Sequence, residues 1–271
     1  DLQTNGWDPS WRQSRFIAQV DICAERIGRS FGVSRGLVAD ASGFCHTALR
    51  CLPETSPRHH AVGLGVEEWR SARSLTGAAI AKAVSELATN DVRLFVDVGN
   101  VAGWFIRHFN VVGARRFFIN LGAGCMGHSV AAAIGASLAD PTTRTIAIIG
   151  DAAFAMYGAE LHVAAEHQLP ITVIVVNDGG HGMISHGERL IGSEVSPTRF
   201  ARPIDFASLA RGYRVDACTV ATPNELAQAL TTSVVGPLLI DARIGRDEVP
   251  EALQTRADNV RKMLKNSRGE S

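Results

Sequence analysis

The sequence has no excess of charge, no long apolar run and few cysteines, and each shortage excludes a class of protein. Its 27 basic and 27 acidic side chains balance to a formal net charge of +0, so no overall positive field is available to hold nucleic acid. The apolar run near residue 146 is interrupted at Asp151, far short of the roughly 20 residues that span a bilayer. The five cysteines form no CxxC pair, which indicates reduced thiols and a cytoplasmic protein.

The chain does contain an alternation of short apolar runs with helix-length segments, which is typical of a parallel sheet covered on both faces. This pattern predicts an α/β fold with a doubly wound parallel sheet. The segment 53–74 contains PETSPRHH and scattered charge, and we interpret it as a linker. We therefore expect an N-terminal extension (1–74), a main domain (75–250) and a helical tail (251–271). Strands are predicted at 15–21, 92–98, 115–120, 145–150, 171–177 and 237–244, and helices at 76–89, 101–109, 127–139, 152–167, 205–211 and 223–233.

Two strand-like runs in the middle of the chain end in oxygen-bearing side chains. Asp151 directly follows the run 145–150, and Asn177 ends the run 171–177. In a doubly wound sheet, ligands bind outside the carboxyl ends of the strands, and neighbouring strands lie only about 4.8 Å apart. If these strands are neighbours, both oxygens face one small volume. That volume suits Mg²⁺, because this ion takes few protein oxygens and bridges phosphates.

The segments after these two side chains favour a diphosphate as the bound group. A helix is predicted to begin near Ala152, and its unpaired N–H groups and positive dipole end attract phosphate. After Asn177 comes DGGHG, whose glycines allow backbone groups to turn toward a ligand. We therefore predict that Asp151 and Asn177 hold a metal ion that binds a diphosphate.

These residues resemble a known family. Gly150-Asp151-Ala152, followed after 24 residues by Asn177-Asp178, resembles the GDG and NN signature of thiamine diphosphate (ThDP) dependent enzymes. The resemblance covers most of residues 15–250, and it implies a ThDP-binding fold in which 75–250 form the diphosphate-binding domain. Further segments resemble the acetolactate synthase branch in order, namely NLGAGCMGHSVAAAIGASLADP (120–141), AELHVAAEHQLPITVIVVND (159–178), DFASLARGYRV (205–215) and RDEVP (246–250).

The resemblance implies roles for the residues around the metal and the diphosphate. Asp151 and Asn177 would be side-chain ligands of Mg²⁺, and the Gly179 carbonyl would be the third protein ligand. The amides of Ala152 and Ala153 would contact diphosphate oxygens, together with the 179–181 loop, which includes His181.

The resemblance also places four residues around the rest of the cofactor. Met126 would lie between the aminopyrimidine and thiazolium rings, and the Gly124 carbonyl would accept a hydrogen bond from the 4′-amino group. Asn100 matches a position on the diphosphate side, and Met183 falls where the family lines the thiazolium and the substrate.

The chain departs from the family pattern at several positions. Ala152 replaces the second glycine of the signature and Asp178 replaces its second asparagine, but neither position supplies a metal ligand in the family. His128 stands where the synthase pattern has an apolar residue, which leaves the substrate open. His128, His181 and His186 are expected near the mouth of the cleft, where each is a candidate acid or base because the pKa of histidine lies near neutrality.

One group that ThDP enzymes need is missing from the matched residues. A glutamate activates the cofactor, and in the family it lies on a separate pyrimidine-binding domain. Residues 15–52 resemble the end of the family's middle domain, so we expect a small N-terminal extension derived from that domain. We predict that a partner chain supplies the pyrimidine-binding domain and its glutamate, in a heterotetramer or a larger assembly.

The predicted function is that of an acetolactate synthase-like carboligase subunit. It would decarboxylate a small 2-oxo acid and transfer the resulting acyl carbanion equivalent to a second carbonyl. The alternatives are a simple 2-oxo acid decarboxylase or a 2-hydroxyacyl lyase. A distant alternative is a dinucleotide-binding oxidoreductase, because GAGCMG (122–127) matches G-x-G-x-x-G and Asp151 lies 24 residues beyond Gly127, near the spacing of that fingerprint.

Overall fold

The computed structural model describes residues 15–29, 32–52, 69–70, 72–87, 92–110, 116–192, 197–232 and 235–268. The chain separates into two compact units, of which one contains residues 1–63 and 259–271 and the other contains residues 64–258. Most of the segment predicted as a linker, 53–74, lies outside the described residues. In the part of the chain that is described, no helix is both long and apolar enough to cross a membrane.

The N-terminal segment of the first unit, where it is described, contains a small parallel sheet followed by an α-helix. Strand β1 (Ala18–Asp21) pairs in parallel with β2 (Arg35–Val38). Helix α1 (Ala41–Cys51) follows, and Asp40 caps it by accepting a hydrogen bond from the Gly43 N–H at 2.7 Å. An N-cap carboxylate satisfies N–H groups that have no partner within the helix.

The second unit is built on a parallel sheet of six strands. In space the strands follow the order β4-β3-β5-β6-β8-β7, and every pair is parallel. This finding confirms the α/β class and the parallel sheet that the apolar runs predicted. The strands are β3 (Val92–Val96), β4 (Phe117–Ile119), β5 (Arg144–Gly150), β6 (Ile171–Asn177), β7 (Asp216–Val220) and β8 (Leu238–Arg243).

Helices cover both faces of this sheet and bury two separate apolar clusters. One cluster packs α2, α3 and α9 against the sheet, and the other packs α4, α5, α6 and α8 against the opposite face. Strands buried on both faces need continuous apolar sequence, which explains why the runs at β5 and β6 were so clear. The helices are α2 (Gly77–Leu87), α3 (Asn100–His108), α4 (His128–Ala139), α5 (Asp151–Tyr157), α6 (Leu161–Glu166), α7 (Gly182–Ile191), α8 (Phe206–Gly212), α9 (Pro223–Thr231) and α10 (Glu251–Arg268).

The structure differs from the expected elements in several places, and β2, α1 and α7 lie where no element was predicted. The single helix predicted at 152–167 is divided into α5, a 3-10 turn at Gly158–Glu160 and α6. At the break, a Cβ on Gly158 would lie 2.7 Å from the Phe154 ring, so the chain packs there more closely than another residue allows. Strand β7 was not predicted, because its sequence DACTV is only partly buried and carries little apolar signal.

Candidate functional site

The order of the strands reverses between β3 and β5. From β3 the chain crosses to β4 on one side, and it then returns to β5 on the other side of β3. In doubly wound sheets such a reversal opens a crevice outside the carboxyl ends of the strands, where ligands bind. Asp97 follows β3 and Asp151 follows β5 at this crevice, and both carboxylates are almost fully buried.

Asp151 and Asn177 lie together, as the sequence predicted. Strands β5 and β6 are paired neighbours, with Gly150 opposite Val176. The Gly179 N–H donates to Asp151 Oδ2 at 2.8 Å and also reaches Asn177 Oδ1 at 3.2 Å. The two oxygens expected to bind a metal therefore converge on a single backbone N–H.

The other contacts of Asp151 hold the glycine loop that follows β6. Asp151 Oδ2 also accepts from the Gly180 N–H at 2.8 Å, and Oδ1 accepts from the Ala152 N–H at 2.8 Å. The Ala152 amide, expected to contact a diphosphate, is thus engaged by Asp151 in this structure. Ala153 is buried at the start of α5 beside it.

The glycine loop requires glycine at two positions. Gly179 has φ +83° and Gly180 has φ +155°, a region that other residues rarely adopt. A Cβ on Gly180 would overlap with the Thr198 carbonyl oxygen. The Gly179 carbonyl, expected to be a metal ligand, accepts from the Phe200 N–H at 3.0 Å, which uses only one of its two lone pairs.

Asn177 has a buried hydrogen-bond partner, Asp241, that the sequence reasoning did not identify. Asn177 Nδ2 donates to Asp241 Oδ1 at 2.9 Å, and Asp241 lies in the middle of β8 with no exposed surface. The available signal was the single carboxylate in the strand-like run PLLIDARI. Its contact with Asn177 depends on the pairing of β6 with β8, which the sequence does not show.

Buried negative charge accumulates around this point. Burial, together with repulsion from Asp178, raises the pKa of Asp151 to about 7. Burial likewise raises the pKa of Asp178 to about 6, with the Arg199 guanidinium acting in the opposite direction. Asp178 Oδ1 has no hydrogen-bond partner, and the Arg199 guanidinium lies 3.5 Å from it.

These donors fit a magnesium ion. One carboxylate, one amide oxygen and one backbone carbonyl form a hard oxygen set, and Mg²⁺ completes such a set with phosphate and water. A divalent cation would also offset the charge of the buried carboxylates. No group of three or more His, Cys, Asp or Glu side chains that could hold a metal occurs among the described residues.

Asn100, the first residue of α3, and His186, in α7, form a hydrogen-bonded pair. Helix α7 follows the glycine loop. Asn100 Nδ2 lies 3.0 Å from His186 Nδ1, and His186 Nε2 lies 2.8 Å from the Arg246 carbonyl oxygen. Because a carbonyl only accepts, Nε2 carries the proton and Nδ1 accepts from Asn100. Both ring nitrogens are engaged and His186 has no exposed surface. The expectation that His186 lies at the cleft mouth as an acid or base is wrong.

The loop between β4 and α4 is fixed at Gly127. The Gly127 N–H donates to Asp97 Oδ2 at 2.7 Å. Gly127 has φ +84°, and a Cβ there would lie 2.6 Å from the Tyr157 side chain. Next to this anchor, Met126 remains 38% exposed, and Gly124 has φ +65°. Asp97 was missed from the sequence, although it directly follows a buried strand, as Asp151 does.

The remaining predicted residues lie at the N-terminal ends of α4 and α7. His128 begins α4, is exposed, and lines a groove of about 490 Å³ together with Phe118 and Asn120. His181 precedes α7, and its ring lies edge-on to Phe200 with centroids 6.3 Å apart. Met183 lies in the first turn of α7 and is 37% exposed. The roles assigned to these residues stay predictions.

The G-x-G-x-x-G segment does not lie where a dinucleotide site requires it. In that fold the glycine loop follows one strand and the acidic residue ends the next strand of the unit. Here the glycine loop follows the edge strand β4, whereas Asp151 follows β5, and β3 lies between them. Asp151 also accepts a hydrogen bond from Gly179, in the loop that follows β6.

Comparison with known proteins identifies the class. The family described as "Thiamine pyrophosphate enzyme, C-terminal TPP binding domain" matches residues 97–242, which is more than half of the chain and includes both Asp151 and Asn177. The chain therefore belongs to the ThDP-dependent enzyme family, and the matching region is the ThDP-binding domain.

Curated relatives show which branch the chain resembles. It is 28% identical to the putative thiamine pyrophosphate-containing protein YdaP of Bacillus subtilis, across 84% of the chain and 42% of that protein. It is 30% identical to the putative acetolactate synthase large subunit IlvB2 of Mycobacterium tuberculosis, across 92% of the chain and 47% of that protein. The chain thus spans less than half the length of either relative.

A solved structure agrees with the fold. The ThDP-dependent 4-hydroxybenzoylformate decarboxylase of Rhodococcus jostii RHA1 superposes with a TM-score of 0.69 at 23% identity, across 86% of this chain and 44% of that one. At that identity the likeness confirms the ThDP-binding fold and carries no information about the substrate.

Proposed function

We propose that this chain is the cofactor-binding part of a carboligase that removes CO₂ from a small 2-oxo acid and joins the remaining acyl unit to a second carbonyl. The observation that carries the proposal is the convergence of Asp151 Oδ2 and Asn177 Oδ1 on the Gly179 N–H, at 2.8 and 3.2 Å. The similarity to acetolactate synthase large subunits supports the carboligation.

Mg²⁺ would be held by Asp151, Asn177 and the Gly179 carbonyl. When bound, ThDP supplies a nucleophilic carbon and an electron sink. The chain's own contribution is to fix the diphosphate end through the metal and the glycine loop. A divalent cation would lower the pKa of Asp151, because the positive charge stabilises the ionised carboxylate.

The loop that carries Gly124 and Met126 would position the rings of the cofactor. Its anchor is the hydrogen bond from the Gly127 N–H to Asp97 at 2.7 Å, together with the contact between Gly127 and Tyr157. A fixed anchor beside an exposed Met126 side chain suits a residue that must hold a flat ring in one orientation.

We also propose that a separate chain completes the site with a pyrimidine-binding domain and the activating glutamate. Several large apolar side chains are exposed on the segments that follow β4, β5 and β6, and exposed apolar surface is a feature of sites of protein contact. These side chains are Leu121, Met126, Met156, Tyr157, Met183 and Ile184.

The test is a product assay with and without a co-purified second chain. The mixture contains Mg²⁺, ThDP and a panel of 2-oxo acids, and both CO₂ and carbon products are measured. We expect turnover only with the second chain, a 2-hydroxy ketone or 2-hydroxy acid as product, and no turnover for Asp151→Ala. Aldehyde as the sole product would indicate a simple decarboxylase instead of a carboligase. Cleavage of a 2-hydroxyacyl substrate would indicate a lyase. Full activity of the chain alone would refute the proposal that a second chain completes the site.

A further inference from the structure

A buried carboxylate in the strand next to Asn177 has no role in the site as proposed so far. Asp241 lies in β8, which pairs with β6, and it has no exposed surface. Its Oδ1 accepts from Asn177 Nδ2 at 2.9 Å, and its Oδ2 lies 3.4 Å from Arg243 Nε. A buried charged group costs free energy unless it is hydrogen-bonded, so its presence in an apolar strand calls for a reason.

The contact selects one of the two orientations of the Asn177 amide. In the observed orientation Nδ2 faces the Asp241 carboxylate and Oδ1 accepts from the Gly179 N–H at 3.2 Å. After a half-turn of the amide, Oδ1 would face a carboxylate that can only accept, and Nδ2 would face an N–H donor. Both contacts would be lost at once, so the pair of partners fixes which amide atom lies beside Asp151.

We propose that Asp241 is a positioning residue, which holds the Asn177 amide so that its oxygen points to the cation position shared with Asp151. The inference rests on the proposed Mg²⁺ site and adds a residue that does not touch the metal. Partners of this kind orient metal ligands in many proteins, and their loss costs about 10- to 100-fold in metal affinity.

The experiment measures metal affinity without using catalysis. Free Mn²⁺, as a probe for Mg²⁺, is followed by electron paramagnetic resonance during titration of the full chain at saturating ThDP, with the second chain present if one co-purifies. Asp241→Ala should weaken Mn²⁺ binding about 10- to 100-fold. Asp241→Asn keeps an oxygen that can accept from Asn177 Nδ2, and it should lose less than about tenfold.

A matched control separates positioning from general destabilisation. Ile240 is equally buried in β8 and belongs to the apolar core. Its hydrocarbon side chain cannot form a hydrogen bond with the Asn177 amide. Ile240→Ala should lower the melting temperature measured in EDTA, because it leaves a cavity. It should leave the Mn²⁺ affinity of the folded protein unchanged.

An exchange of the two side chains keeps the test decisive if Asp241→Ala does not fold. Asn177→Asp alone places two carboxylates face to face at a contact that now measures 2.9 Å, and it should bind Mn²⁺ poorly. Combining Asn177→Asp with Asp241→Asn restores one donor and one acceptor at this contact. The double variant should bind Mn²⁺ at least about tenfold more tightly than Asn177→Asp alone. An exchange variant that binds no better than Asn177→Asp alone would overturn the inference.

The outcomes distinguish this inference from the function on which it rests. If the unmodified chain binds no Mn²⁺ in the presence of ThDP, the proposed metal site itself is wrong. If the unmodified chain binds and Asp241→Ala binds equally well, the metal site stands and the positioning role of Asp241 is wrong. Weakened binding in Asp241→Ala, unchanged binding in Ile240→Ala and recovery in the exchange variant would establish it.

Discussion

Replacing Asp151 by asparagine should stabilise the metal-free chain while it weakens the proposed metal site. Asp151 is buried, and its pKa is raised from 3.8 to about 7 by burial and by repulsion from Asp178. Between these two pH values the folded chain binds more protons at this position than the unfolded chain does. The free energy of unfolding therefore falls as the pH rises from about 4 to about 7.

The magnitude follows from the shift. About three pKa units correspond to about 4 kcal/mol of destabilisation once the carboxylate is ionised in both states. The Asp151→Asn variant would avoid this cost. However, the amide nitrogen that it introduces would meet the N–H of Ala152, or those of Gly179 and Gly180, which now donate to the carboxylate. Losing one such hydrogen bond costs about 1 to 2 kcal/mol, so Asp151→Asn should gain about 2 to 3 kcal/mol at pH 8.

The assay is urea unfolding in EDTA at pH 5 and pH 8, followed by circular dichroism. The advantage of Asp151→Asn over the unmodified chain should grow by about 2 to 3 kcal/mol between these pH values. With Mg²⁺ and ThDP at pH 8, only the unmodified chain should gain stability, because ligands that bind the folded state stabilise it. An equal difference at both pH values, or a less stable variant at pH 8, would refute the burial of an unpaired charge at Asp151.

Three further substitutions test the local structure by denaturant unfolding of the metal-free chain. Gly127→Ala should destabilise it by about 1 to 3 kcal/mol, because of its positive φ and the Tyr157 contact; a change below about 0.5 kcal/mol would contradict the packing described. Asp97→Ala should cost about 1 to 3 kcal/mol, because the buried Gly127 N–H loses its acceptor; Asp97→Asn should cost less, and equal losses would argue against this contact. Thr222→Ala removes the capping box with Glu225 at the start of α9 and should cost about 1 kcal/mol, whereas no change would show that the cap contributes nothing.

The buried strands of the six-stranded sheet were predictable from the sequence, whereas the exposed strand β2 and the edge strand β7 were not. β5 and β6 consist mostly of apolar residues because helices cover both faces. β7 lies at the edge of the sheet and is half exposed, so its sequence lacks the same signal. The break between α5 and α6 falls at Gly158, where a Cβ would clash with the Phe154 ring, and a single glycine within a helix-length segment did not predict it.

The same distinction holds for the candidate site. Asp151 and Asn177 could be identified because each ends an apolar run, and the structure places them on neighbouring strands. Asp241 could not be assigned, because its contact with Asn177 depends on β8 lying beside β6. The local sequence does not show the order of the strands. His186 was misplaced because helical position alone does not distinguish a buried side chain from one at the mouth of a cleft.

The central claim is that Asp151 and Asn177 bind a metal ion that holds the diphosphate of ThDP. Calorimetric titration tests it most directly, with ThDP added to the chain, and to its second chain if one co-purifies, in Mg²⁺ or in EDTA, and with NAD added in a separate run. We expect ThDP to bind in Mg²⁺ and not in EDTA, NAD to give no binding heat, and Asp151→Ala to abolish the Mg²⁺-dependent binding. Equal ThDP affinity in EDTA, or unchanged affinity in Asp151→Ala, would contradict the account.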